Sequence, residues 1–342
     1  MTENKLEKCR VAVDAMGGDY APKHEILGAL AALKENDDLD LILVGDKEKI
    51  LASAREQNVA LDEKMILHTT QIITMHDKPA EAIKTKKDSS LIVGANLVRD
   101  KKADAFVSAG NTGAVAAAST LLIGRLKGIE RPTIGSFFPS ENNVTYLFDV
   151  GAFVDVKPQH LFDYAVLASI FVSELHGINN PSIAMLNVGE EDEKGNKQVK
   201  ETAELLRNSK LNFIGNVEGR DILKGKSNII ICDGFVGNIL LKFGESVPAF
   251  MKYLLKEYAE KSIFEKIKIG LFKGTLKKAL SPLNPDLYGG VPLLGLNGIT
   301  IIGHGSSSPL ALKNMILRAK EMHQKKLIQK FEETLKAYAV TK

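Results

Sequence analysis

Short apolar runs alternate with helical patterns along the whole chain. Most of these runs are apolar at consecutive positions, which is typical of strands that helices cover on both faces. The strand candidates are residues 11–15, 39–44, 65–69, 105–108, 133–138, 144–150, 183–188, 213–214, 229–232 and 299–302. The alternation predicts a doubly wound, mostly parallel α/β sheet. Because the chain has neither an internal repeat nor a low-complexity linker, we expect one continuous domain over residues 1–342.

Glycine combined with aspartate, asparagine or serine follows eight of the strand candidates. Examples are DAMGGD after Val13, SAGNTG after Val107, NVGEEDEKGN after Leu186 and GHGSSS after Ile302. In open α/β sheets, ligands bind outside the carboxyl ends of the strands. If the eight loops point in one direction, they build a single large polar site.

The loop SAGNTG has the features of an anion site. Its members are Ser108, Gly110, Asn111, Thr112 and Gly113, and a helix is expected over residues 113–126. Asparagine or threonine caps such a helix, and its free N–H groups and positive dipole end attract anions. The loop is neither a Walker A loop nor a GxGxxG fingerprint, so no nucleotide is indicated. A capped helix with tight packing and no ligand is the alternative.

Two further loops carry polar groups. His304 lies between glycines after the last strand candidate, where its ring is exposed and Ser306 and Ser307 are expected to start a helix. The acidic loop at 187–196 includes Asn187, Glu190 and Lys194. Its carboxylates are weak grounds for Mg²⁺, and we expect no metal. For His304, the alternative is a loop histidine that is bonded to the backbone. For residues 187–196, the alternative is a solvated acidic loop. Cys232 is expected to be a buried structural cysteine.

Residues 246–280 differ from the rest of the chain. An apolar helical stripe continues past a break near 261–263, and residues 252–278 hold eight lysines and three glutamates, a net charge of +5. A basic amphipathic hairpin lies on anionic membranes or pairs with a second copy. We expect a protruding helical hairpin whose base forms a dimer and whose tip touches lipid. The expected membrane contacts are Leu254, Leu255, Phe264 and Phe272.

Composition excludes several classes of protein. The chain has 342 residues, 44% hydrophobic content and a net charge of only +3, so nothing demands a nucleic-acid partner. Its two cysteines, Cys9 and Cys232, cannot form a disulfide scaffold. The charged amino terminus is unlike a signal peptide, and no apolar run reaches the roughly 18 residues that span a bilayer. A cytoplasmic protein is therefore expected.

Long motifs resemble one known family, the bacterial acyl-acyl carrier protein:phosphate acyltransferases of the PlsX type. The motifs are VAVDAMGGDYAP, DKPAEAIKTKKDSS, ADAFVSAGNTGA, GIERP, NVGEEDEKGN, NFIGNVEGRD, CDGFVGN, YGGVPLLGLNG and GHGSS, in order from about residue 10 to 320. The resemblance implies transfer of a fatty acyl group from acyl-acyl carrier protein to inorganic phosphate. It also implies a three-layer α/β/α sandwich related to phosphotransacetylases and isopropylmalate dehydrogenases.

The resemblance further implies a homodimer without a cofactor, bound peripherally to the inner face of the cell membrane. A membrane glycerol-3-phosphate acyltransferase would use the acyl phosphate. On this basis Asn111, Lys194 and His304 are the catalytic candidates, and the phosphate ligands are Ser108, Gly110, Asn111, Thr112 and Gly113. The cleft would be lined by Asp14, Gly17, Gly18, Asn187, Glu190, Asp233, Asn238 and Ser306.

One residue departs from the family pattern. The family usually has DVGANVD where this chain has Phe153 in DVGAFVD. If the missing amide contacts phosphate or the carrier arm in the family, that contact is lost in this chain.

Three other functions are the alternatives to acyl transfer from acyl-acyl carrier protein. They are a phosphotransacetylase-like enzyme with an acyl-CoA donor, an NAD-dependent dehydrogenase without the usual fingerprint, and a non-catalytic scaffold docked on a membrane.

Overall fold

The computed structural model describes residues 8–339, and its centre is a mixed sheet of 11 strands. The strands are β1 (Cys9–Asp14), β2 (Leu39–Gly45), β3 (Ile66–His68), β4 (Ala105–Ser108), β5 (Thr133–Ser140), β6 (Asn143–Phe148), β7 (Ile183–Leu186), β8 (Phe213–Val217), β9 (Ile229–Ile231), β10 (Val291–Leu294) and β11 (Ile299–Ile302). Their order is β3-β2-β1-β4-β11-β10-β5-β6-β9-β7-β8. All ten predicted strands are present.

The strand that the sequence did not predict is β10. Its sequence, VPLL, contains Pro292 and follows two glycines, which argue against a strand. The strand pairs antiparallel with β11 on one side and with β5 on the other. It is therefore recognisable only from its neighbours in the sheet.

Helices follow most strands and cover the sheet. They are α1 (Lys23–Lys34), α2 (Lys47–Glu56), α3 (Pro79–Thr85), α4 (Ser90–Arg99), α5 (Thr112–Leu122), α6 (Pro158–His176), α7 (Lys197–Arg207), α8 (Gly234–Glu260), α9 (Ile263–Ala279), α10 (Pro309–Gln324) and α11 (Leu327–Ala339). Side-chain caps begin several of them, such as Asp46 for α2, Asn111 for α5 and Asp233 for α8. The predicted helix at 113–126 corresponds to α5 but ends four residues earlier.

The sheet is buried on both faces. Val11 and Val13 of β1 belong to one apolar cluster, with residues of α1, α6 and α10, whereas Ala12 belongs to a second cluster with residues of α4 and α5. Ile230 and its two neighbours in β9 divide between the clusters in the same way. Since successive strand residues face opposite sides, this division produces a three-layer α/β/α sandwich.

Strand direction divides the sheet into two halves. The strands β3, β2, β1, β4 and β11 are mutually parallel, as are β6, β9, β7 and β8. Three successive antiparallel pairs, β11–β10, β10–β5 and β5–β6, lie between the halves and reverse the direction. The carboxyl ends of the two halves therefore fall on opposite edges of the sheet.

This reversal corrects the expectation of one site built from eight loops. We call the loops after β1, β4 and β11 the first loop group, and those after β6, β7 and β9 the second loop group. No hydrogen bond or ion pair within residues 8–339 connects the two groups. A single chain therefore presents two separate sets of polar loops, one at each edge of the sheet.

The hairpin of α8 and α9 projects from the sandwich. Helix α8 begins at Gly234, earlier than the predicted boundary at 246, and the break at Lys261 and Ser262 lies where the sequence indicated. Only Gly234 and Gly237 of α8 are buried, and α9 buries no residue. Within the described part of the chain, no helix has the length and apolar character needed to cross a membrane.

Candidate active site

The first loop group is organised around the buried carboxyl group of Asp14, the last residue of β1. Asp14 Oδ2 accepts a hydrogen bond of 2.7 Å from Ser108 Oγ, which in turn accepts the Gly110 N–H at 3.1 Å. Asp14 Oδ1 accepts the Met16 N–H at 3.2 Å. One carboxyl group therefore fixes the start of two loops, although they lie far apart in the sequence.

Gly17 and Gly110 bring these two loops into backbone contact. A methyl group on Gly17 would lie 2.6 Å from Asp14 Oδ2 and 2.9 Å from the Gly110 nitrogen. Any side chain at position 17 would therefore push the loops apart. The first loop group also includes the loop after β11, because Gly303 N donates to Ser108 O at 2.8 Å and Asp19 N donates to Gly305 O at 2.8 Å.

The side chain of Asn111 is fully occupied by structural hydrogen bonds. Its Oδ1 caps α5 by accepting the Ala114 N–H at 3.1 Å. Its Nδ2 donates to the carbonyl groups of Met75 at 3.2 Å and Asp77 at 3.1 Å. An amide has two donors and one carbonyl oxygen, so this geometry assigns Asn111 to holding the 74–77 segment against α5 rather than to direct contact with substrate.

Hydrogen bonds also fix the 74–77 segment itself. None of its residues was among the site residues expected from the sequence. Asp77 Oδ2 accepts from Lys86 Nζ at 2.6 Å and from Thr74 N at 2.7 Å. The hydrogen bond from Lys86, above all, lowers the pKa of Asp77 to about 2. The motif DKPAEAIKTKKDSS contains both charged partners, and the proline at the start of α3 is the one local signal that a structured turn precedes it.

The first turn of α5 presents two unpaired backbone donors. The N–H groups of Thr112 and Gly113 have no hydrogen-bond partner within residues 8–339, and both residues are exposed. They lie at the positive end of the helix, beside the ordered Ser108–Gly110 turn. Backbone donors at such a position are suited to bind an anion.

His304 is exposed, and its ring is held from one side. Its Nδ1 lies 2.8 Å from Ser306 Oγ and accepts the Ser306 N–H at 3.2 Å. Because the backbone N–H can only donate, the neutral ring carries its proton on Nε2. That Nε2 has no partner within the described residues, so it is free to donate to a substrate oxygen.

Glu25, in α1, is a buried carboxyl group that the sequence analysis did not single out. It is 1% exposed, and its Oε2 has no hydrogen-bond partner among the described residues. Burial, above all, raises the pKa of Glu25 to about 8, and the charges of Asp14 and Asp19 act in the same direction. Burial also raises the pKa of Asp14, against the hydrogen bonds from Ser90 and Ser108. Two protonatable groups therefore lie beneath the first loop group.

The second loop group is organised around Asp149, which is completely buried. Its Oδ1 accepts the N–H groups of Ile134 at 3.0 Å and Ala152 at 3.1 Å, and its Oδ2 accepts the Phe153 N–H at 3.0 Å. Burial raises its pKa to about 6. Cys232 Sγ donates to the Asp149 carbonyl at 3.4 Å, and burial raises the pKa of this thiol. Cys232 is thus a buried structural cysteine.

The remaining predicted residues of the second loop group make structural contacts. Asp233 caps α8 through the Val236 N–H at 2.9 Å, and Asn238 packs against Gly151. Asn187 Nδ2 donates to the Lys194 carbonyl at 3.1 Å, and Glu190 pairs with Lys226 at 2.6 Å. The Lys194 ammonium is exposed and forms no ion pair within residues 8–339. The structure does not bring Lys194 to His304 in one chain.

The full sequence was compared with protein families and curated proteins. The family model described as "Fatty acid synthesis protein" matches residues 9–330. The chain belongs to this family. A phosphate acyltransferase of Halothermothrix orenii is 43% identical over 321 residues, which cover 93% of this chain and 96% of the relative. A phosphate acyltransferase of Chlorobaculum parvum is likewise 43% identical, over 93% of this chain and 96% of its own length.

Solved structures share the fold at low sequence identity. A phosphotransacetylase from Streptococcus pyogenes superposes with a TM-score of 0.61 at 18% identity and covers 92% of this chain and 94% of its own. A similarity at this level supports the fold alone. The predicted relation to phosphotransacetylase folds is confirmed.

Phe153, which departs from the family pattern, has a partner in this chain. The guanidinium carbon of Arg131, in the GIERP motif, lies 4.6 Å from the centre of the Phe153 ring. This is the distance of a cation–π contact. The hydrogen bond from the Phe153 N–H to Asp149 uses the backbone and does not depend on the side chain. The second loop group therefore accommodates the substitution without losing its buried hydrogen bonds.

Proposed function

We propose that this family member is a phosphate acyltransferase. It would transfer a fatty acyl group from acyl-acyl carrier protein to inorganic phosphate and supply acyl phosphate for phospholipid synthesis. The observation that carries this proposal is the similarity to curated phosphate acyltransferases over nearly the whole length of both chains. The first loop group supplies the chemistry, because it combines free backbone donors, a fixed histidine and buried carboxyl groups.

In this proposal phosphate binds at the start of α5. The N–H groups of Thr112 and Gly113 donate to its oxygens, and Asn111 keeps these donors in place by capping the helix and holding the 74–77 segment. Ser108 and Gly110 support the site from below through Asp14. Orientation of the nucleophile is the main requirement, since phosphate is anionic at neutral pH and needs no strong base.

His304 is placed to orient phosphate rather than to act as a general acid. Its Nδ1 accepts the Ser306 N–H, so Nε2–H is the free donor of the neutral ring. A neutral imidazole donates a hydrogen bond readily, but it does not surrender its remaining proton to a thiolate. This geometry favours contact of His304 with a phosphate oxygen over protonation of the departing thiol.

The reaction balances without an additional reactant. An oxygen of monohydrogen phosphate attacks the thioester carbonyl carbon, and a tetrahedral oxyanion forms. The carbon–sulfur bond then breaks, and the proton of the phosphate moves to the departing thiolate. The products are acyl phosphate and the free thiol of the carrier arm. Oriented donors would stabilise this oxyanion as it forms.

The apolar hairpin supports a homodimer in this proposal. Phe235 and Phe243, near the start of α8, are 57% and 68% exposed, and Ile239 between them is 54% exposed. A patch of this kind marks an interaction surface. Two hairpins that pair through their bases would form a four-helix bundle and bury these side chains.

The tip of the hairpin would contact an anionic membrane at the inner face of the cell membrane. Leu254 and Phe272 are 46% and 62% exposed, and Phe264 near the turn is 72% exposed. Leu255 is partly covered. Eight lysines in residues 252–278 surround these apolar groups. Membrane contact would bring the product to the glycerol-3-phosphate acyltransferase that we expect to consume it.

An acyl-phosphate trap tests the reaction directly. The purified chain is mixed with palmitoyl-acyl carrier protein and phosphate, and hydroxylamine captures acyl phosphate as the hydroxamate. We expect hydroxamate that depends on phosphate, together with release of carrier thiol. Product from acyl-CoA but not from carrier protein would support a phosphotransacetylase-like enzyme instead. No product from either donor would reject acyl transfer and leave the scaffold function.

A further inference from the structure

Three potential metal ligands meet at the edge of the sheet where β1 and β4 begin, on the opposite side from the first loop group. They are the thiol of Cys9, the carboxylate of Asp104 and the imidazole of His323, and their ligand atoms all lie within 4.8 Å of one another. Cys9 begins β1, Asp104 directly precedes β4, and His323 is in the last turn of α10. Nothing in the proposed acyl transfer uses these residues.

The spacing of the His323 and Asp104 side chains suits an ion better than a direct hydrogen bond. His323 Nδ1 and Asp104 Oδ1 are 3.8 Å apart, which exceeds the 2.7–3.2 Å range typical of N–H···O bonds. Two ligands of a tetrahedral zinc ion, with bonds of about 2.0–2.3 Å, are separated by roughly 3.3–3.8 Å. Within residues 8–339, neither the His323 ring nor the Cys9 thiol has a hydrogen bond.

Contacts with Arg10 already orient the Asp104 carboxylate toward the other two potential ligands. Asp104 Oδ2 accepts the Arg10 N–H at 2.7 Å, and the Asp104 N–H donates to the Arg10 carbonyl at 2.7 Å. These bonds leave Oδ1 directed at the other two groups. Backbone partners of this kind commonly orient metal ligands.

The charge around Cys9 also favours a cation. Cys9 is fully buried beside the Asp104 carboxylate. The nearby Lys320 ammonium is engaged by Asp38 and by Asn36 Oδ1. Asp104 and His323 are 36% and 30% exposed, so an ion and a water ligand can reach the site.

We propose that Cys9, Asp104 and His323 bind a zinc ion that ties the first strand to helix α10. A thiolate, an imidazole and a carboxylate form a ligand set typical of zinc, with water in the fourth position. Binding releases the thiol proton to solvent and forms the zinc–sulfur bond. Because the ligands come from both ends of the described chain, the ion stabilises the native state against unfolding.

Cobalt provides a specific test, because a cobalt–thiolate bond gives a charge-transfer band. The full chain is treated with a chelator, exchanged into metal-free buffer and titrated with Co²⁺. The chain has only two cysteines, so such a band reports Cys9 or Cys232. We expect the band in the wild type and in Cys232→Ser, and its loss in Cys9→Ser. No band in the wild type, or a band that persists in Cys9→Ser, would overturn the proposal.

A second variant keeps the test decisive if Cys9→Ser fails to fold. His323→Gln changes a partly exposed side chain, and we expect it to weaken Co²⁺ affinity by at least about tenfold, as loss of even an outer-shell partner does. Zn²⁺ should raise the melting temperature of the wild type and of Cys232→Ser but not of His323→Gln. Equal affinity and equal melting shifts in His323→Gln would reject its role as a ligand.

Discussion

At the scale of single residues, buried carboxyl groups hold the candidate site in shape. Asp14 connects to Ser108, and through Ser108 to the Gly110 N–H, so three residues from two loops share one hydrogen-bonded chain. The free donors of Thr112 and Gly113 begin directly after this chain. The site is therefore pre-organised before any ligand binds, which is what an enzyme that works by positioning needs.

Thr112 allows one backbone donor to be removed selectively. Proline is well tolerated at the first position of a helix, and Asn111, with φ of −55° and ψ of 108°, already lies outside the α region that a following proline disfavours. Thr112→Pro should raise the KM for phosphate about 10- to 100-fold, because a hydrogen bond to a charged group contributes about 1.5–3 kcal/mol. Steady-state kinetics at varied phosphate concentration measure this change.

Thr112→Ala is the matched control for the proline variant. It removes the exposed side chain and keeps the backbone N–H, so its KM should stay within about twofold of the wild type. If the alanine and proline variants have the same KM, the start of α5 does not bind phosphate. Circular dichroism of both variants establishes that α5 is retained.

Glu25 should make the stability of the protein fall as the pH rises. Its pKa is about 8 in the folded protein and 4.5 without burial, so the unfolded chain releases this proton first. The stabilising effect of the protonated form is present below about pH 4.5 and is lost as the pH approaches 8. Glu25→Gln keeps the shape of the side chain and removes this titration.

Urea unfolding at several pH values checks this prediction. From pH 5 to pH 8, the free energy of unfolding of the wild type should fall relative to that of Glu25→Gln by on the order of 3 kcal/mol. Asp149 also titrates near pH 6, but it is present in both proteins and cancels in the difference. A difference that is constant with pH would mean that Glu25 is not shifted.

At the scale of elements, the hairpin of α8 and α9 is the part whose apolar surface a single chain leaves most uncovered. Its helices carry apolar side chains on a surface that the sandwich does not cover, and α8 extends far beyond the strands that it packs on. Gly244 of α8 lies against Phe138 of β5, and the following sixteen residues continue past it to Glu260. The proposed dimer and membrane contacts would cover the rest.

Glutamate substitutions at the tip of the hairpin should weaken vesicle binding, whereas one at the base should weaken dimerisation. Leu254→Glu with Phe272→Glu should lower binding to phosphatidylglycerol vesicles at least tenfold, because burying each side chain contributes about 1.5–3 kcal/mol. Phe243→Glu, nearer the base, should instead convert a dimer to monomers. Vesicle co-sedimentation and light scattering measure the two effects.

An equally charged control separates apolar contact from net charge. Ser246→Glu with Thr275→Glu places two carboxylates on exposed polar positions of the same helices. This variant should retain most of the vesicle binding. Equal loss in both double variants would assign the binding to lysine charge alone, and full binding by the Leu254 and Phe272 variant would reject the tip as the contact.

At the scale of the whole molecule, the contact between β5 and β6 is critical because it is one of the three antiparallel pairs that connect the two half-sheets. Gly135 of β5 faces Phe148 of β6, and a methyl group on Gly135 would overlap the Phe148 ring. Gly135→Ala should therefore lower the free energy of unfolding by about 1–3 kcal/mol, as overpacking of a core does. Gly274→Ala, with open space around it in α9, should instead raise helix stability by about 0.5–1 kcal/mol.

Chemical denaturation of both glycine variants checks this contrast. Both substitutions add the same methyl group, so any general effect of glycine replacement on the unfolded chain is shared. Opposite signs would support the close packing between the half-sheets. A stabilising effect of Gly135→Ala would contradict it.

Much of the architecture was predictable because its causes are local. Apolar runs such as 229–232 and 299–302 correspond to strands that both faces of the sandwich bury, and the break near 261–263 is marked by a serine cap. The candidate site was predictable in part. The SAGNTG loop and His304 do belong to one loop group, whereas Lys194 and Glu190 belong to the other.

The amino-acid sequence by itself determined ten of the eleven strands, the cap of α5 and the membership of the family, because each depends on residues that are neighbours along the chain. Only the tertiary structure decided which loops meet. Three antiparallel pairs reverse the second half-sheet, Asn111 is used to hold a distant segment, and Cys9 lies beside His323. These contacts depend on strand order and register, which residues far apart in the sequence establish together.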